Sequence, residues 1–182
     1  MRHASRRGFT LMEVLVAVLV LAVGLIGGTA MQLHAMRARQ ESALLTTAVQ
    51  AAAAMAERIR ANAGQRALYL ALDYDAAIEP SPAPPRSLCQ DSTCAPAALA
   101  ALDIYELKRM VRASLPAGRA RVCRDAHAWQ AGRLRWPCSA VPGAPIVVKI
   151  GWRGKNPDGT PQADDDGGFV PGVAMTVAGV GP

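Results

Sequence analysis

GFTLMEVLVAVLVLAV, residues 8–23, is the stretch whose reading decides the fold. A single acid, Glu13, heads a run with no charged side chain from Val14 to Met36, counting His34 as neutral. That run exceeds the roughly 20 apolar residues needed to cross the hydrocarbon core as a helix. A carboxylate at such a boundary must be solvated, paired or neutralised, because an acid at mid-membrane costs about 2.5–3.5 kcal/mol on insertion scales. Arg2, Arg6 and Arg7 stand just upstream. Positive flanks stay on the cytoplasmic side, so the N-terminus is expected inside and residues beyond about 36 outside. Arg37 and Arg39 on the far flank oppose this weakly. A cleaved secretory signal has an apolar stretch of roughly 7–15 residues and a small-x-small site after it. Here the run is longer and passes into a periodic helix. Two readings remain, an uncleaved anchor or cleavage on the other side, between Gly8 and Phe9.

The rest of the chain is long enough for one domain. Of 182 residues, 51% are hydrophobic, but much of that is alanine or lies in the first helix. A soluble core must come from roughly the last 120 residues, which is adequate and not generous. The formal charge is +6, and three of those charges are the leader arginines. Losing residues 1–8 would halve the electrostatic case for a nucleic-acid partner.

Residues 9 to about 62 contain no proline and read as one helix. Leu33, Met36, Gln40, Leu44, Ala48, Ala51, Met55 and Ile59 recur at three- and four-residue spacing and form a stripe that must be covered. Asn62 and Gly64 supply a stop. Residues 73–95, with EPSPAPPRSLCQDSTC, read as a connector without periodicity. Pro96 opens a second helix closed by PAG, and RARVCRD, PIVVKIGWR and GVAMTVAGV read as short strands. A long helix, a loop, a short helix and then strands predict an α+β fold, with a small antiparallel sheet laid on the outer half of the first helix.

Cys89, Cys94, Cys123 and Cys138 all fall in the part expected outside the cytoplasm, where an even count reads as disulfides. Three connectivities exist, and neighbour pairing, Cys89–Cys94 with Cys123–Cys138, closes the smallest loops. Those loops contribute about 2 and about 3 kcal/mol in the chain-entropy account. The spacings do not suit a four-cysteine zinc site, so no metal is expected. No catalytic set emerges either. His3 is in the leader, His34 is at the membrane edge, and His127 has no Ser or Cys nucleophile partner. Asp158, Asp164, Asp165 and Asp166 lack the spacing of a calcium loop and read as a solvated turn. In RARVCRDAHAWQAGRLRW, Arg119, Arg121, Arg124, Arg133 and Arg135 accompany Trp129 and Trp136. Arginine beside aromatic rings can grip an anionic backbone. The alternative, an arginine-rich surface on a chain that prefers Arg to Lys, is favoured, and nucleic acid is not the expected partner.

The leader MRHASRRG, then Phe9, TLMEV and the apolar run resemble the N-terminus of the type IV pilin and pseudopilin superfamily. LAVGLIGGTAMQLHAMRARQESALLTTAVQAAAAMAERIRAN, CAPAALAALDIYELKRMVRASLPAGRARVC and IVVKIGW with Trp152 are similar to PilV-type minor pilins. The resemblance implies cleavage after Gly8 by a prepilin peptidase and methylation of the new Phe9 amine. It also implies that Glu13 pairs with the terminal amine of a neighbouring subunit during assembly. The expected organisation is a leader (1–8), the transmembrane part of the helix (9–36), its periplasmic part (37–64) and a periplasmic globular head (65–182). No enzymatic role and no cofactor are implied. The implied partners are the peptidase, other minor pilins, the major pilin and the inner membrane. The implied role is a non-enzymatic one in a minor-pilin complex that primes pilus assembly, with the fibre or its tip as a further location, and adhesion or twitching motility as associated roles. The alternatives are a minor pseudopilin of a type II secretion system and a DNA- or surface-binding tip subunit.

Overall fold

In the computed structural model, which describes residues 10–89, 93–154, 160 and 168–179, the first helix, α1, runs unbroken over Leu11–Ala61. Its start is encoded locally. The Thr10 hydroxyl accepts the Glu13 backbone N–H at 3.3 Å, so T-L-M-E supplies the N-cap half of a capping box. The chain divides into two units, Met1–Gln40 and Glu41–Pro182. In the first, every described residue is exposed, Leu11, Leu15, Leu19, Val23 and Ile26 included. This part of α1 is apolar enough, and α1 long enough, to cross a bilayer.

In the second unit, α1 buries Ala48, Ala52, Met55, Ala56 and Ile59 in the core. Their spacing of three to four residues makes one face. The alanines let the helix close onto the sheet, while Met55 and Ile59 each gain about 1.5–3 kcal/mol from burial. A 3-10 turn (Ala63–Gln65) and a short helix, α2 (Arg66–Leu70), lead to strand β1 (Asp73–Asp75). The expected connector over 73–95 therefore begins as a strand. Asp73 and Asp75 stand opposite Arg121 and Arg119 on strand β2 (Arg119–Arg124), and Tyr74 between them is buried. Three residues are too few to show a period, and cross-strand charge pairs stabilise such a strand only once its partner is in place.

Helix α3 (Pro96–Ser114) begins with proline in its first turn. Strands β5 (Ile146–Gly151) and β6 (Val173–Thr176) complete a four-stranded antiparallel sheet in the order β1-β2-β5-β6. The α+β architecture expected from the sequence, with a long apolar N-terminal helix and a small antiparallel sheet, is the one observed. Strand β5 is buried at every position. Ile146, Val148 and Ile150 face the helical side and belong to the core cluster. Val147, Lys149 and Gly151 alternate onto the other face.

That second face is covered by an excursion between β2 and β5. It carries a small hairpin, β3 (Trp129–Gln130) and β4 (Arg133–Leu134), in a second sheet. The two-residue turn, Ala131 and Gly132, has positive φ at both positions (49° and 78°), as a type I′ hairpin requires. Behind it Trp136 lies over Gly151, where an added Cβ would come within 2.9 Å of the indole. The Trp136 indole N–H donates to the Phe169 carbonyl at 2.7 Å, and the two rings meet edge-on at 5.4 Å.

Candidate functional site

Glu13 lies in the first turn of α1 and heads a face completed by Val14, Ala17, Val18 and Leu21. It is the only acid before Glu41. The nearest cationic side chains within the same helix are Arg37 and Arg39, about 36 Å along the axis at 1.5 Å per residue. No cation of its own helix can therefore reach it. In a bilayer its counter-charge must come from the chain upstream of the helix or from another molecule. Gly8 and Phe9 lie outside the described residues, as do Asp158, Asp164, Asp165 and Asp166.

In the second unit the structure joins Cys89 to Cys94, with Cα atoms 5.5 Å apart, and Cys123 to Cys138, at 6.3 Å. The second bridge closes the excursion that carries the hairpin. Directly beneath it lies an arrangement that sequence reading missed. Lys149 is 0% exposed, and its ammonium donates to Asp125 Oδ2 at 2.5 Å and to the carbonyls of Arg135 (2.7 Å) and Pro137 (2.9 Å). Asp125 Oδ1 in turn accepts the backbone N–H groups of His127 (3.0 Å) and Ser139 (3.2 Å). Burial alone would raise the Asp125 carboxyl. Lys149 and the two N–H donors outweigh it and hold the group below the usual carboxylate range. All three donors of the ammonium are used, so the pair ties the hairpin to the centre of the sheet. The signal for it was a lysine inside an otherwise apolar strand.

The five arginines do not converge on one site. Arg119 pairs with Asp73 at 3.0 Å and lies over the Trp136 ring at 4.6 Å. Arg121 reaches Asp73 at 3.4 Å, and Arg124 donates to the Ala144 carbonyl at 2.8 Å. Arg133 and Arg135 lie at the hairpin, the first on β4 and the second just beyond it. Arg153, not singled out from the sequence, bridges Asp75 at 3.1 Å and lies over the Phe169 ring at 4.3 Å. Burial pushes the Asp75 carboxyl up, but Arg153, the Ala77 N–H and Arg119 together hold it below its ordinary value.

A second polar network sits where α1, α2 and α3 meet. The buried Tyr69 hydroxyl donates to Asp103 Oδ2 at 2.6 Å, and Arg58 bridges Asp103 (3.0 Å) and Glu106 (2.6 Å). The Asn62 amide donates to the Pro96 carbonyl at 2.7 Å and to the Tyr69 oxygen at 3.3 Å. Burial, then the bond to Asp103, pushes the Tyr69 phenol up to about 12. Beside this network a cleft of about 350 Å³ opens between α1 and α3, lined by Ala51, Met55, Arg58, Glu106, Leu107 and Met110 among others. Among the described residues no group of His, Cys, Asp and Glu is placed to hold a metal ion. His34 and His127 are both exposed.

These features, an apolar helix headed by an acid and a disulfide-closed head, can be set beside known families. Residues 3–29 match the family model of the prokaryotic N-terminal methylation motif. Residues 30–105 match the Tt1218-like family model, described as type IV pilin Tt1218. The two matches adjoin and run from the leader to the middle of α3. No curated protein and no solved structure matches the chain.

Proposed function

Because the chain belongs to the type IV pilin superfamily, we propose that it is a minor pilin of the PilV type, acting in the complex that primes fibre assembly. The observation that carries the pilin part of this reading is the unbroken sequence of basic leader, Gly8-Phe9, TLME and apolar helix, with Glu13 on a face where its own helix supplies no cation. The PilV-type part rests on the resemblance of residues 21–62, 94–123 and 146–152. A prepilin peptidase would cut after Gly8, and the new Phe9 amine, once methylated, would supply the missing positive charge to a neighbouring subunit. In low dielectric such a pair is far stronger than in water and fixes axial register between otherwise slippery apolar helices. In this reading the first unit anchors the chain in the inner membrane, and the head stands on the periplasmic side and offers its surfaces to other pilins.

An intact mass spectrum of protein taken from the envelope tests the processing. The mature chain is expected to begin at Phe9 and carry one added methyl group, and a chain that begins at Met1 would overturn the reading. Glu13→Val, as the sole copy, should insert normally and fail to support fibre formation. Quantification of sheared fibres tests the minor role: the chain should be scarce there relative to the principal subunit.

A further inference from the structure

We infer that the β3–β4 hairpin is the docking knob of the head, with Trp129 as its anchor, and that its partner is the acidic head of a different pilin subunit. The inference rests on the pilin assignment and extends it to a specific surface. Trp129 is 64% exposed, whereas Trp136 and Trp152 are 9% and 6% exposed. It pairs across the hairpin with half-buried Leu134, so one face of this four-residue ladder is apolar. Gln130 and Arg133 occupy the other face, and Arg135 follows.

The base of this projection is braced from several sides. The Cys123–Cys138 bridge closes its base, and the Lys149 ammonium holds the carbonyls of Arg135 and Pro137. The Asp125 carboxylate holds the N–H groups of His127 and Ser139, and the Arg135 N–H donates to the Ala128 carbonyl at 3.0 Å. A large aromatic side chain displayed on a braced scaffold loses little freedom on binding, and Trp and Arg are the residues that dominate binding hot spots.

Charge selects the partner. The second unit as a whole, residues 41–182, holds fifteen Lys and Arg against thirteen Asp and Glu, a balance of +2, but residues 126–145 around the hairpin hold Arg133 and Arg135 and no acid. The one acid of the excursion, Asp125, is already paired with Lys149, and Arg135 makes no ion pair among the described residues. A second copy meeting it through the same surface would set two basic hairpins against each other. Its own apolar cleft is also a poor receptor, since the carboxylates there, Asp103 and Glu106, are taken by Arg58. The fitting surface is an apolar slot rimmed by unpaired carboxylates on another subunit.

Full-length protein carrying a photoreactive benzoylphenylalanine at position 129 should be irradiated in cells that are assembling fibres, and the adducts mapped by peptide mass. The expected adduct is a different, leader-cleaved pilin with an acidic head, and its yield should fall severalfold with Arg135→Glu. Trp129→Ala should weaken co-purification with that pilin about 30-fold, as for a hot-spot residue, and Trp129→Phe should retain most of it. Because the side chain is exposed, the alanine variant should keep its unfolding midpoint. Adducts only to lipid, only to a second copy, or to no pilin overturn the inference, as does full co-purification of Trp129→Ala. These outcomes are separable from failure of the pilin reading, because the mature mass reports processing independently of position 129.

Discussion

Lys149→Met removes an ammonium while nearly preserving its volume, and so isolates the charge at the centre of the head. The change leaves Asp125 Oδ2 and the carbonyls of Arg135 and Pro137 without their shared donor. Breaking a buried ion pair from one side costs about 3–5 kcal/mol, because the remaining charge stays buried. Against a typical stability of about 5–15 kcal/mol this is a large fraction. At about 2–4 °C per kcal/mol for a chain of this size, the midpoint should fall by roughly 6–20 °C. Thermal or denaturant unfolding of the detergent-solubilised chain, followed by tryptophan fluorescence, reads the change. Asp125→Asn keeps the oxygen that accepts from His127 and Ser139 and removes the charge, so the double variant should recover at least half of the loss. A single variant within about 1 kcal/mol of wild type, or a double variant no better than the single, would refute the assignment of the pair as the tie between hairpin and sheet. The pH dependence has a definite sign. The folded Asp125 carboxyl is held below its ordinary value of about 3.9, so its contribution is full above that value and disappears as pH falls through the folded one.

Tyr69 gives the opposite dependence. Its folded value is raised to about 12, so the stability linked to the neutral phenol is full below about 10 and is lost as pH rises from there towards 12. An ultraviolet phenolate titration should show one of the three tyrosines ionising last, and Tyr69→Phe should remove that step. Replacing Cys123 and Cys138 by serine should cost about 3 kcal/mol for the loop they close, and the Cys89 and Cys94 pair about 2, read as midpoint shifts under non-reducing conditions. Gly151→Val should destabilise more than either disulfide change, because a Cβ there already meets the Trp136 ring at 2.9 Å and the Val170 carbonyl at 2.9 Å. A soluble Gly151→Val variant with a wild-type midpoint would contradict the described packing.

What could be read in the sequence was whatever is encoded over a few adjacent turns. A charge-free, proline-free run declares α1, Pro96 and the following PAG bracket α3, and the apolar IVVKIG declares β5. Glu13 is conspicuous for the same local reason, although the TLME capping signal that fixes the helix start went unread. Most of the other losses are non-local. Strand β1 exists because Asp73 and Asp75 meet arginines more than forty residues later. Arg58 finds Asp103 across 45 positions, and the alternation of β5 places Lys149 on a face that the hairpin excursion covers. Spacing along the chain carries no trace of such meetings. The arginine segment reads as a group because its members are close in sequence, whereas the fold disperses them between the sheet and the hairpin.

The Lys149–Asp125 arrangement also bears on how the cysteines find their partners. Four thiols admit three pairings, and the other two would tie Cys123 and Cys138 separately to Cys89 and Cys94 and leave the excursion unclosed at its base. With Cys123 and Cys138 joined to each other, the carbonyls of Arg135 and Pro137 and the carboxylate of Asp125 gather within reach of one ammonium. Lys149 lies 24 positions after Asp125, and a loop that failed to present these acceptors would leave its ammonium buried and unsatisfied. A mispaired chain would thus carry a penalty that drives reshuffling. The buried lysine would then act as an inspector of bond pairing, and Lys149→Met protein is expected to accumulate scrambled disulfide isomers, read by non-reducing peptide mapping.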